Sequence, residues 1–192
     1  MKRPLAALVA LIPTLALAHV GQDGSAHHGF LSGFTHPFIG LDHMAAMVAV
    51  GVWTVLAFRH AGRAQWVAPS AFAGLLLVGG LLAFAGLSVP GVEPMIAASL
   101  VVLGLLVATR IRMPAIAGAG VVGAFALFHG LAHGAELPAD QAVAALSGMV
   151  LGTALLHVSG MALGNFVFSR HVWLPRIAGL GVALFGSALL AF

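Results

Sequence analysis

A chain of 192 residues in which 61% are hydrophobic and only 7% charged lies far below the roughly 25% charged fraction of an ordinary soluble domain, so bulk water is not its principal solvent. The sequence pI of 11.2 does not require a nucleic-acid partner: it rests on 8 Lys plus Arg against 5 Asp plus Glu, cations that membrane orientation explains better. Cysteine is absent, which excludes a disulfide framework and a thiolate metal site, so any metal must bind through nitrogen, oxygen or thioether.

Residues 1–18 open with Lys2 and Arg3, continue through an apolar run over 5–17 interrupted by Pro13, and close on Ala16-Leu17-Ala18. That is the anatomy of a secretory signal peptide, and the run is too short to cross the ~30 Å hydrocarbon core as a helix. Cleavage after Ala18 would leave His19 first, presenting its α-amine and imidazole together as a bidentate nitrogen chelate, with Asp23, His27 and His28 nearby. Residues 19–33 are polar, contain several glycines and lack apolar periodicity, so they read as a mobile extracytoplasmic tail ahead of a six-helix transmembrane domain over 34–192.

Apolar runs predict spans near 41–58, 66–87, 93–109, 114–133, 141–168 and 173–192. The fold class is therefore an all-α polytopic membrane helical bundle of about six transmembrane helices, with 25 glycines letting helices approach closely. The connections alternate in charge. Arg59, Arg63, Arg110, Arg112 and Arg170 fall on one side, while Glu93, Glu136 and Asp140 fall on the other. The positive-inside rule makes the arginine side cytoplasmic, which agrees with an outside start after signal cleavage and puts both termini in the periplasm. Three spans per half also make the halves, 36–112 and 114–192, run in opposite senses. That is the arrangement of a 3+3 inverted repeat with a midplane site, although no residue-by-residue similarity between the halves is legible.

Ten histidines against five acids is the compositional fact that points to chemistry, and four of them lie in two motifs. The first is His36-Pro37-Phe38-Ile39-Gly40-Leu41-Asp42-His43, at the outer end of the first span. An Asp inside a span costs about 2.5–3.5 kcal/mol on insertion scales, so Asp42 is expected to face a partner, a cavity or an ion. His36 and His43, seven residues apart, would lie roughly 10 Å apart along a continuous helix and serve successive sites. If the helix breaks near Pro37 and Gly40 the two converge, since irregular backbone is tolerated where it lines a cavity. Asp42 is either a ligand or orients an imidazole from behind.

The second motif is Phe128-His129-Gly130-Leu131-Ala132-His133-Gly134-Ala135-Glu136. His129 and His133 are one turn apart on one helix face, about 6 Å along the axis, the spacing two helical residues need to share one metal, and Glu136 follows three residues on. His157, in the middle of the fifth span, is equally compatible with an interhelical hydrogen bond and with a ligand. Glu93 opens the third span and reads as solvated. Met44, Met47 and Met161 read as gap fillers, and His60 and His171 adjoin cytoplasmic arginines. Nitrogen-rich, thiol-free donors suit nickel, copper, cobalt or zinc better than magnesium or calcium.

Together HPFIGLDH (36–43) and FHGLAHGAE (128–136) resemble the HupE/UreJ family of small nickel and cobalt permeases. Both motifs are complete and in order, and the signal peptide, N-terminal histidine and six spans carry the resemblance across nearly the whole chain. It implies a non-enzymatic permease taking up Ni2+ or Co2+ as substrate across the bacterial inner membrane, with no prosthetic group, in support of metalloenzyme assembly such as hydrogenase or urease maturation. The functional positions it implies are His36, Asp42, His43, His129, His133 and Glu136. His157 and His19 join them as candidate metal ligands from their own chemistry.

The alternative from another class is a membrane-embedded zinc-dependent hydrolase, which would use the same histidines to activate water. Rhomboid-like serine chemistry is disfavoured because His157-Val158-Ser159-Gly160 lacks the first glycine of G-x-S-G. Bis-histidine haem ligation would leave Asp42 without a role. The only lysine is Lys2, so the mature chain can hold no Walker A motif and no ATP site of that kind.

Overall fold

The computed structural model describes residues 27–58 and 62–191. The expected signal peptide over 1–18, His19, Asp23, Arg59 and His60 lie outside the described residues. The helices are α1 (His27–Ile39), α2 (Leu41–Phe58), α3 (Val67–Phe84), α4 (Val92–Thr109), α5 (Ala115–Glu136), α6 (Ala142–Phe166) and α7 (Trp173–Ala191). Six of these, α2 to α7, are long and apolar enough to cross a membrane. The chain is thus an all-α polytopic bundle, as its composition requires: with no water to bond to, each span satisfies its backbone internally.

Proline and glycine punctuate the spans. Pro69, Pro94 and Pro175 sit in first turns, where a missing N–H strands no acceptor. Gly91 opens α4 with φ 80° and Arg110 closes it at φ 55°. A left-handed arginine is strained, and here the guanidinium compensates by donating to the carbonyls of Phe168 (3.4 Å), His171 (2.5 Å) and Val172 (3.4 Å), which ties the α4 terminus to the loop before α7.

Glycine faces set the packing. A Cβ on Gly51 of α2 would strike the His157 carbonyl and, one turn on, the Met161 N–H of α6. A Cβ on Gly130 of α5 would strike the Leu76 carbonyl and, one turn on, the Gly80 N–H of α3. Between α4 and α7, Gly104 abuts the Gly179 carbonyl and the Ala183 N–H, while Gly179 abuts the Gly104 carbonyl and the Ala108 N–H. Exchanging α2–α4 with α5–α7 carries each contact onto its partner, the pattern an inverted repeat would produce. Outward faces are apolar: Leu151, Leu155 and Val158 on α6 and Ile177, Leu180 and Leu184 on α7 are exposed, as a lipid-facing surface demands.

The expected mobile tail over 19–33 is corrected at its carboxyl end, because the chain is already helical from His27. The glycines that suggested a loop are contact points. Gly29 donates its N–H to Gln141 Oε1 (2.7 Å), and Gly33 lies against the Ala145 backbone of α6. Phe30, Phe34 and Phe38, four residues apart, form a ladder with ring centroids 6.3 and 5.7 Å apart, and the Phe30 and Phe34 carbonyls pack on Gly148 and Gly152. Tertiary packing therefore makes a 13-residue helix of a segment whose polar residues hide its period.

Candidate metal site

α1 and α2 both run alongside α6 in the same direction, α1 against Gln141 to Gly152 and α2 against His157 to Gly164. They are one long element broken at Gly40, which is not helical. Pro37 lies inside α1 three residues earlier and removes the N–H that would bond back to Gly33. The break sits beside the middle of α6, deeper than the outer end of the first span where the sequence placed it. Of the two expected geometries, the broken helix is the one adopted.

At the break, Asp42 Oδ1 accepts from the His43 backbone N–H (2.8 Å) and from His43 Nδ1 (2.9 Å). A carboxylate on Nδ1 fixes the imidazole tautomer and leaves the Nε2 lone pair free to bind a metal. His43 Nε2 is buried without a partner among the described residues. Asp42 Oδ1 thus orients His43 from behind, and Gly40 leaves room for the pair, since a Cβ there would stand 2.9 Å from Asp42 Oδ1.

α5 supplies the facing row. His129 Nδ1 donates to the Phe125 carbonyl (3.0 Å), so this imidazole too is held with Nε2 free. That atom is buried and unpartnered among the described residues, as are both ring nitrogens of His133. The His133 ring centroid lies 4.7 Å from that of His36 and 4.3 Å from that of His43, and His129 and His43 are 5.0 Å apart. At the mouth, His36 Nε2 donates to Glu136 Oε2 (2.8 Å). One ligand atom each from His36, His133 and Glu136 lies within 4.8 Å of the other two. Donors at ~2.1 Å from a common ion stand at most about 4.2 Å apart, so closure needs shifts on the order of 1 Å.

Exposure grades inward. The Glu136 side chain is 58% exposed and that of His36 24%, whereas His133 and His129 are 1% and 0% exposed. Orphaned buried nitrogens are costly, about 1–3 kcal/mol each. Among the described residues His43, His129, His133 and, further in, His157 all keep Nε2 unsatisfied.

The sequence-predicted residues His36, Asp42, His43, His129, His133 and Glu136 are therefore brought together by three helices. His157 stands apart on α6, buried, with its ring 5.1 Å from Phe72 at 87°. Phe72 is also 5.4 Å from His129, so this aromatic touches both His157 and the cluster. Sequence reading missed Phe72 because a phenylalanine in an apolar span looks like core filler. It also missed Thr153, which is fully buried with a hydroxyl unpartnered among the described residues.

Asp42→Asn is expected to weaken binding of nickel or cobalt ions 10- to 100-fold with the fold retained, because the amide cannot hold the His43 tautomer as a carboxylate does. Equilibrium dialysis of the purified variant checks this, and unchanged affinity would deny Asp42 that role.

A polytopic helical membrane protein with a histidine and carboxylate cluster opening at one end is the class that fold and site define. The family described as HupE / UreJ protein matches residues 6–189. Protein HupE of Rhizobium leguminosarum bv. viciae is 45% identical over 188 residues, covering 97% of this chain and 94% of that protein. The chain belongs to the HupE/UreJ family. No solved structure matches it.

Proposed function

We propose that this protein is a secondary transporter that carries nickel or cobalt ions inward across the bacterial inner membrane, supplying metalloenzyme assembly. The observation that carries this reading is the row of Nε2 atoms on His43, His129 and His133 without partners among the described residues, behind the His36 and Glu136 mouth. A graded series of imidazole and carboxylate donors lets an ion exchange one ligand at a time as it sheds water. Family membership supports the choice of metal. Ser159 offers the cluster no nucleophile, since its hydroxyl lies on an exposed face and is bonded to the Leu155 carbonyl (2.8 Å).

An inside-negative potential of 100 mV is worth about 4.6 kcal/mol for a dication, some three decades of concentration ratio, so the membrane potential suffices as a driving force. The matched glycine contacts support alternating access by two inverted halves around the cluster. Orientation follows from the arginine loops: reporters fused after Arg63, Arg112 and Arg170 should report cytoplasm and one at the carboxyl terminus periplasm, and an internal carboxyl terminus would refute this topology.

Cells expressing the chain should accumulate radioactive nickel and cobalt above the vector control, with each ion competing against the other. Uptake indistinguishable from the control for both ions would refute the reading.

A further inference from the structure

Met149, Thr153, His157 and Met161 recur one turn apart on α6 and are all buried. In these helices hydroxyls are ordinarily returned to the backbone one turn behind: Thr54 to Val50 (2.5 Å), Ser147 to Val143 (2.6 Å) and Ser159 to Leu155 (2.8 Å), with Ser99 bonded to Ile96 (2.6 Å). That back-bond is the default for a helical hydroxyl that has no water to bond. Thr153 departs from it, its Oγ1 buried without a partner among the described residues, and one turn on His157 Nε2 is in the same state. Two orphaned polar atoms on adjacent turns of one face, inside an otherwise apolar bundle, are a standing penalty unless a polar visitor satisfies both.

We propose that Thr153 and His157 form a second, inner stop for a divalent transition-metal ion, linked to the outer cluster by their shared neighbour Phe72. The proposal rests on the transport reading and gives it a second station. The Phe72 ring packs on the imidazoles of both His129 and His157, so the two stations share one aromatic wall. The donors differ from those outside: an imidazole nitrogen and a hydroxyl, with thioethers of Met149 and Met161 one turn to either side, and no carboxylate. A neutral set holds a dication more weakly than a cluster containing Asp42 and Glu136, and a weaker second site favours release over retention, as conduction through successive sites requires.

The absence of cysteine supplies the test. His157→Cys and Thr153→Cys, purified in detergent under reducing conditions and titrated with Co2+, should each develop thiolate-to-cobalt charge-transfer absorption in the near ultraviolet. His133→Cys reports the outer cluster in the same way, and Ser159→Cys, on the exposed face, should remain blank. A band from His133→Cys with none from either inner variant would overturn the inner stop and leave the transport reading standing. No band from any of the three would overturn both. Nickel equilibrium dialysis covers the case in which an inner cysteine variant fails to fold: His157→Gln should bind one ion fewer per chain than the wild type, and equal stoichiometry would overturn the proposal.

Discussion

Nickel uptake should fall at least ~100-fold when His133 is replaced by alanine, with no matching loss of protein from the membrane. The reason lies in what this imidazole touches. It is 1% exposed, and neither ring nitrogen has a hydrogen-bond partner among the described residues, while the rings of His36 and His43 stand 4.7 and 4.3 Å away. Deleting it strands no donor or acceptor but removes the nitrogen shared between the mouth and the deeper row. Leucine makes the contrast sharper. His133→Leu fills the volume and withdraws two unsatisfied polar atoms, so the thermal midpoint in detergent should stay the same or rise while uptake is lost. A residue kept at a cost to stability is one kept for function. His133→Leu protein that transports normally, or that unfolds well below the wild type, would show that the imidazole serves packing.

The largest effect on the fold should come from Gly130→Val. Gly130 presses on the backbone of α3, where an added Cβ would meet the Leu76 carbonyl and stand 2.9 Å from both Gly79 Cα and Gly80 N. Backbone cannot yield as a flexible side chain does, so α3 and α5 must separate. Overpacking of a tight core costs about 1–3 kcal/mol or more, and here it also displaces His129 and His133 on either side of the glycine. Gly130→Val is therefore expected to be scarce in membranes and to melt well below the wild type. A Cβ added to Gly120, on the same helix, would meet nothing within 4 Å, so Gly120→Ala should be neutral or slightly stabilising, by up to about 1 kcal/mol. Equal melting of the two variants would remove the basis for the glycine-faced α3 and α5 contact.

The six spans were legible because apolar runs of 18 residues or more leave few alternatives, and the arginine and acid loops supplied their alternation. The outer cluster was legible as well, since His129 and His133 are tied by helical spacing and Asp42 in an apolar setting demands a reason. Other features lay out of reach. α1 was hidden because its glycines carry two opposite meanings, loop signal or helix contact, and only the facing surface of α6 distinguishes them. The depth of the break at Gly40 and the surroundings of Phe72 and Thr153 depend on which helices lie side by side, and local pattern does not contain that. Phe30, Phe34 and Phe38 were the one available hint, a four-residue aromatic period inside a segment that otherwise reads as polar.

Purified protein reconstituted into liposomes with an inside-negative potential, and assayed for entry of radioactive nickel, tests the central claim most directly. Uptake is expected to run well above that of protein-free liposomes, driven by the potential without nucleotide, and to be lost in the His43→Ala/His133→Ala double variant inserted at equal density. Uptake no greater than in empty liposomes, or a double variant that transports at the wild-type rate, would contradict it.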